Sequence, residues 1–147
     1  MSDVIWSVGH STRSLVELIE LLKHYGIEVV ADVRRFPASR KFPWFERKSL
    51  EQILPANGIN YVWLGEELGG FRKGGYEAFA RSDEFAAAIA ELANLARKKR
   101  VAVMCAEKLW WRCHRRHVAN ALARQGWEVI HIFDTKRSEA HRMLGGG

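Results

Sequence analysis

Cysteine and proline are scarce in this chain, with two of the first and three of the second in 147 residues. Two cysteines are too few for a disulfide scaffold and suit a reducing compartment, where they stay thiols or bind metal. The few prolines form no Pro- or Ser-rich linker, and no low-complexity tract or long charge block divides the chain. The reading is therefore one α/β domain over residues 1–144, followed by a flexible glycine tail at 145–147. Apolar runs are short too. The longest, such as Val101 to Ala106, fall far below a membrane-spanning length. Met1 to Val4 lack the basic-then-apolar order of a secretory signal. The expected location is cytoplasmic, with no membrane partner.

Hydrophobic residues make up 48% and charged residues 27%, which excludes a disordered chain. A chain of this length buries roughly 68–70% of its unfolded surface, so folding needs neither metal nor disulfide. Lys and Arg number 23 against 17 Asp and Glu, a net charge of +6. A basic surface attracts anions, nucleic acid among them, although solubility charge alone gives the same total.

Five short β-branched segments read as strands: Val4 to Val8, Val29 to Val33, Asn60 to Leu64, Val101 to Cys105 and Val129 to Phe133. Helical patterns lie between them. Ser14 to Glu17 and Ser49 to Gln52 are potential capping boxes. A third helix starts at Ser82 and ends in the basic run Arg97 to Arg100, and a fourth spans about His114 to Gln125. Three helix-to-strand junctions share one pattern: Tyr25-Gly26-Ile27, Asn57-Gly58-Ile59 and Gln125-Gly126-Trp127. Each places a glycine where a helix can end in the left-handed conformation. Strands alternating with helices give a three-layer α/β domain, a mostly parallel sheet of about five strands with helices on both faces.

In such sheets, sites form beyond the carboxyl ends of the strands. The helix-to-strand turns here are terse. The strand-to-helix loops are long, basic and aromatic. That asymmetry marks one sheet edge as a binding face for an anionic, partly aromatic ligand. Phe36, Phe42, Phe45, Phe71, Tyr76, Trp44, Trp110 and Trp111 interleave there with Arg34, Arg35, Arg40, Lys41, Arg72, Lys73, Lys108, Arg112, Arg115 and Arg116. Rings beside cations suit a nucleotide or single-stranded nucleic acid, and equally a second core with solvated charges.

The individual polar residues have two readings each. Asp32 and Arg34 share a strand face, as a structural ion pair or a catalytic pair. His10 is a general acid–base candidate or a loop hydrogen-bond donor. Gly69-Gly70 and Gly74-Gly75 serve a mobile flap or a tight turn. Cys105 at a strand end resembles the placement of phosphatase and sulfurtransferase nucleophiles. The bulky Ala106 to Trp111 run, with its Glu107 carboxylate, does not form the glycine-rich anion cradle those enzymes need. Cys105 also fits as a buried apolar residue. Cys105, Cys113, His114 and His117 include zinc-ligand types, but their spacing matches no common zinc pattern.

Gly9-His10-Ser11, Asp32-Val33-Arg34, Pro37-Ala38-Ser39-Arg40, Leu68-Gly69-Gly70, Cys105-Ala106-Glu107 and Cys113-His114-Arg115 occur together and in order. In these motifs, from about Ile5 to His131, the chain resembles the bacterial and archaeal family catalogued as domain of unknown function 488. The resemblance implies no named activity. It carries over His10, Ser11, Asp32, Arg34, Ser39, Arg40, Gly69, Gly70, Cys105, Glu107, Cys113, His114 and Arg115 as motif positions.

Three functions follow as expectations. The first is an enzyme acting on a nucleotide, nucleic acid or other phosphorylated ligand. In it Arg34, Arg40 and Arg115 hold anionic groups, and Asp32 orients Arg34. Glu107 or His10 transfers protons, Cys105 lines the pocket, and Ser11, Ser39, Gly69 and Gly70 contact ligand. This requires His10, Arg34, Glu107 and Arg115 to converge. The second is a non-catalytic nucleic-acid-binding module. The third is a metal-dependent hydrolase using Cys105, Cys113 and His114, or Asp32 and Glu107. The sequence indicates no particular cofactor.

Overall fold

The structure, a computed structural model, describes residues 3–38 and 40–143. The expected glycine tail at 145–147 and the expected ligand residue Ser39 lie outside the described residues. Strand β1 (Val4–Gly9) leads to helix α1 (Leu15–His24), then β2 (Val29–Asp32), α2 (Arg47–Ala56) and β3 (Asn60–Trp63). Two single-turn helices follow, α3 (Gly65–Leu68) and α4 (Tyr76–Phe79), before the long α5 (Asp83–Lys98). Strand β4 (Val101–Cys105), α6 (Arg115–Arg124), β5 (Glu128–Ile132) and β6 (Ser138–Ala140) complete the order. The strands form one sheet in the order β3-β2-β4-β1-β5-β6, parallel except for β6.

Both faces of the sheet are covered. Ile5, Val29, Ala31, Val101, Val103 and Val129 pack against α5 and α6 through Ile89, Leu92, Val118 and Leu122. Val8, Val30, Ala102, Met104 and Ile132 pack on the other face against Leu18, Leu22, Leu50 and Leu54 of α1 and α2. Strands buried on both sides explain the continuous apolar runs in β2 and β4.

The three glycine junctions behave alike. Gly26, Gly58 and Gly126 all have positive φ. In each, the next residue's N–H reaches back to a buried leucine carbonyl: Ile27 to Leu22, Ile59 to Leu54 and Trp127 to Leu122. These are Schellman caps, with an apolar contact closing the helix end.

The Ser14 box forms as expected, with reciprocal bonds to Glu17. The Ser49 box does not. A 3-10 turn at Pro43–Phe45 sets the entry to α2, whose N-cap is Glu46, three residues before Ser49, and the Ser49 hydroxyl donates to the Pro43 carbonyl instead. Among the described residues no helix is long and apolar enough to cross a membrane.

Strand order fixes where a site can form. The chain leaving β1 and β2 turns to the α1 and α2 face, whereas the chain leaving β4 turns to α6 on the other face. Strand β4 lies between β2 and β1. Loops that diverge from adjacent parallel strands open a crevice at their carboxyl ends.

Candidate functional site

A cleft of about 820 Å³ occupies that crevice. Its wall takes His10, Ser11 and Thr12 from the loop after β1, and Arg34, Arg35, Phe36, Ala38, Lys41 and Phe42 from the loop after β2. Gly70, Phe71 and Tyr76 come from the α3–α4 connection. Cys105 to Lys108, Arg112, Cys113 and His114 come from the loop after β4. Five of these side chains are arginine or lysine and one, Glu107, is a carboxylate. Among the described residues, the two non-glycine residues with positive φ, Ser11 and Phe71, both lie on this wall. Backbone held in that region costs about 1–3 kcal/mol and tends to concentrate at functional sites.

The floor is built by close approach of two backbones. The His10 and Ser11 N–H groups donate to the Cys105 and Ala106 carbonyls, so β1 and β4 stay paired past their formal ends. Gly9 sits under this crossing, where an added Cβ would lie 1.9 Å from the Glu107 carbonyl oxygen. Only a residue without a side chain lets the 105–108 loop lie this low.

Beside it stands a buried polar ladder. Asp32 is fully buried and accepts two bonds from the Arg34 guanidinium, at 2.9 and 2.7 Å. It also accepts from the Arg34 backbone N–H and the Tyr61 hydroxyl. The pair therefore orients Arg34, whose Nη1 reaches His10 Nε2 at 3.2 Å. His10 Nδ1 faces the Ser11 carbonyl at 3.0 Å, which assigns its proton to Nδ1 and its lone pair to Arg34. Burial lowers the His10 pKa to about 4; the Ser11 carbonyl opposes this, and Arg34 adds to it. His10 is a neutral imidazole stacked on Phe45. The Arg34 fork has five N–H groups and uses three on Asp32 and His10, and the side chain lines the cleft.

On the opposite wall two sulfurs meet. Cys105 Sγ and Cys113 Sγ are 2.8 Å apart. The Arg115 backbone N–H points at Cys113 Sγ from 3.4 Å, and His114 Nδ1 lies 3.5 Å away. His114 Nε2 is 2.8 Å from the Val33 carbonyl, which only an N–H satisfies. Both ring nitrogens of His114 are donors when the ring is an imidazolium facing a Cys113 thiolate. Burial opposes the charge on His114, but Cys113 and the Val33 carbonyl together hold its pKa above the usual histidine value. Hydrogen bonding from Cys105 and His114, set against burial, pushes the Cys113 thiol down. Burial and the neighbouring sulfur push Cys105 up, so Cys105 keeps its proton.

Not all expected site residues reach this cleft. His10, Ser11, Arg34, Cys105, Glu107 and Gly70 line it. Asp32 lies beneath it, bonded to Arg34. Arg40 is exposed and off the wall, and its neighbour Lys41 is on it. Gly69 is a packing glycine, where a Cβ would lie 2.2 Å from the Gly65 carbonyl and 2.6 Å from Arg35 Cβ.

Arg115 is the clearest correction. It is 1% exposed, and its guanidinium donates to Ser7 Oγ and the Glu107 carbonyl. It holds the 105–108 loop from inside, so the required convergence of His10, Arg34, Glu107 and Arg115 does not occur. The Glu107 side chain is exposed and accepts from the Leu109 N–H. The metal set of Cys105, Cys113 and His114 is corrected too. His114 directs its second nitrogen to Val33, and among the described residues no three His, Cys, Asp or Glu side chains form a metal cage. The alternative pair fares no better, because Asp32 is enclosed by Arg34 and Tyr61 beneath the floor while Glu107 is on the surface.

The aromatic residues divide. Phe36, Phe42, Phe71 and Tyr76 line the cleft. Trp110 is buried, stacked on His131, and Trp44 donates to the Arg13 carbonyl; neither faces the cleft, nor do Phe45 and Trp111. Phe36 and Phe71 are 67% and 85% exposed, with ring centroids 5.6 Å apart, and so form an uncovered aromatic rim. The α3–α4 connection is tied down by Arg72, which donates to the Gly69 and Glu66 carbonyls, and by the Tyr76 hydroxyl on the Leu68 carbonyl.

The sequence offers Cys113 only as a metal-ligand candidate beside Cys105 and His114. Its partnership with Cys105 has no signal in spacing, because the 3-10 turn Trp110–Arg112 is what folds the two together.

The fold and cleft define a mostly parallel α/β domain with a basic, thiol-containing crevice at the strand ends. The chain belongs to the family described as domain of unknown function DUF488, which matches residues 14–122. The match begins after His10 and Ser11, so those two wall residues lie outside it. No curated protein and no solved structure matches the chain.

Proposed function

We propose that the cleft is the active site of an enzyme that binds a phosphorylated, ring-containing ligand such as a nucleotide. One observation carries this reading: five arginine and lysine side chains and the exposed pair Phe36 and Phe71 surround one crevice at the sheet's carboxyl edge. Arg34, fixed by Asp32, presents forked donors to an anion. Arg35, Lys41, Lys108 and Arg112 add charge at the rim. The rings offer stacking worth about 1–3 kcal/mol per base. A volume of about 820 Å³ is that of a small-molecule site. In this reading Glu107 is the exposed proton acceptor, and neutral His10 orients Arg34.

Calorimetric titration of mononucleotides and single-stranded oligomers at low and raised salt tests this. Saturable mononucleotide binding that persists in salt, and weakens in Lys41→Glu and Arg112→Glu, is expected. Binding of oligomers alone, collapsing steeply with salt, would replace the enzyme by a nucleic-acid-binding module.

A further inference from the structure

The cleft contains a pair of groups that ligand binding alone does not use. Cys105 and Cys113 come from opposite ends of one loop, both on the cleft wall, with their sulfurs 2.8 Å apart. A disulfide needs about 2.05 Å between sulfurs, so a small rotation of either side chain closes the bond. The surroundings of the two sulfurs differ. Cys113 is partly exposed and faces the Arg115 N–H and the His114 ring. Cys105 is 2% exposed, and its nearest polar partner besides Cys113 is the Glu107 carbonyl. One sulfur is placed to attack from the cleft, the other to attack the first.

We propose that Cys113 and Cys105 form a reactive dithiol that reduces a disulfide carried by an anionic ligand in this cleft, Cys113 attacking and Cys105 resolving. The substrate class rests on the anion-binding reading above; the dithiol itself rests on the sulfur geometry. In the first step the Cys113 thiolate attacks one sulfur of RS–SR. The substrate S–S bond breaks, RS⁻ departs, and Cys113 is left as a mixed disulfide. In the second, Cys105 Sγ attacks Cys113 Sγ, the mixed bond breaks, and the Cys105 proton leaves with the second thiolate as RSH. The dithiol loses two electrons and the substrate gains them. The product chain holds a Cys105–Cys113 disulfide, and a thiol reductant returns it to the starting state. Cationic Arg112, next to Cys113 in the chain, and Lys108 on the same cleft wall favour a disulfide bearing carboxylates or phosphates.

The test treats the reduced full chain with 5,5′-dithiobis(2-nitrobenzoate), an aromatic dianionic disulfide, and with neutral 4,4′-dithiodipyridine. The wild-type chain should release two thionitrobenzoate anions, lose two hydrogens in mass, and give a linked Cys105–Cys113 peptide. This readout needs no variant. Cys105→Ala or Cys105→Ser should stop at one release, with the adduct on Cys113. In Cys113→Ala, the buried Cys105 should react at least about tenfold more slowly. Two stable adducts on the wild-type chain, or no linked peptide, would overturn the dithiol. Arg112→Glu separates the two claims. It should slow the dianionic reagent and spare the neutral one. Equal rates with a linked peptide still formed would remove the anionic substrate class and the ligand reading beneath it.

Discussion

The Arg34 guanidinium reaches His10 Nε2 at 3.2 Å while both nitrogens of its other edge hold Asp32. One side chain thus ties the ends of β1 and β2 together under the cleft. Arg34→Ala would leave the fully buried Asp32 carboxylate with only Tyr61 and a backbone N–H. The expected loss is about 3–5 kcal/mol. The double variant Asp32→Leu/Arg34→Leu should recover part of it, because it removes the orphaned charge as well. Urea unfolding at pH 7 measures both. A loss below about 1 kcal/mol in Arg34→Ala would mean that water reaches Asp32.

The histidines set an acid limit. Burial lowers His131 to about 2, with Arg115 and His141 adding to it, and burial lowers His10 to about 4. In the unfolded chain both titrate near 6.5. Between that value and about 4, His10 and His131 bind two protons in the unfolded state that they refuse in the folded state. The contribution of these two histidines to stability is therefore fully present above pH 6.5 and falls as pH drops. Each histidine contributes up to about 1.4 kcal/mol per pH unit. Unfolding free energies at pH 7, 6 and 5 should show this slope, and His131→Gln should flatten it by one proton. The variant also interrupts a chain of bonds from Arg115 through Ser7, His131 and His141 to Asn120, so its stability at pH 7 will be lower.

Gly9 tests the floor of the cleft. A methyl group there meets backbone, the Glu107 carbonyl at 1.9 Å and Lys108 Cα at 2.9 Å, with no flexible side chain to move aside. Gly9→Ala should cost about 2–3 kcal/mol or more. It should also lift the 105–108 loop, seen as faster exchange of the His10 and Ser11 amides that bond to it. Gly58→Ala is the comparison. Nothing lies within 4 Å of the added atom, so only its positive φ of 78° resists. That variant should leave the His10 and Ser11 amides unchanged.

What the sequence made legible follows the range of the interaction. The Schellman caps at Gly26, Gly58 and Gly126 need residues within six positions, and they were readable. So were the five parallel strands, because each is short and rich in β-branched or other apolar residues. Strand β6 was not, since Ser138, Glu139 and Ala140 have no apolar alternation and pair only through β5. The sheet edge that holds the cleft was visible in loop length and charge. Which side chains face it was not. Arg40 and Lys41 are neighbours with the same charge, and only the path of the β2 loop puts Lys41 on the wall. Arg115 reads as a ligand donor because it falls among the cations of the loop after β4. Its inward turn depends on Ser7, 108 positions away.

The Cys113–His114 pair predicts an unusual thiol reactivity at low pH. Bonds from Cys105 and His114, outweighing burial, lower the Cys113 pKa, so its thiolate persists where an ordinary cysteine is protonated. Alkylation by iodoacetamide, read by peptide mass, should proceed at pH 6 at a rate close to that at pH 8. An unperturbed thiol near 8.5 would slow by about a hundredfold per two pH units. Cys105 should stay unmodified over the same interval, because burial raises its pKa and limits access. His114→Gln removes the imidazolium but keeps a donor for the Val33 carbonyl, so the fold is expected to survive. In that variant the Cys105 bond remains, so the alkylation rate of Cys113 should regain part of its rise with pH. If wild type and His114→Gln give the same profile, His114 does not charge-stabilise Cys113, and its contact with the sulfur is packing alone.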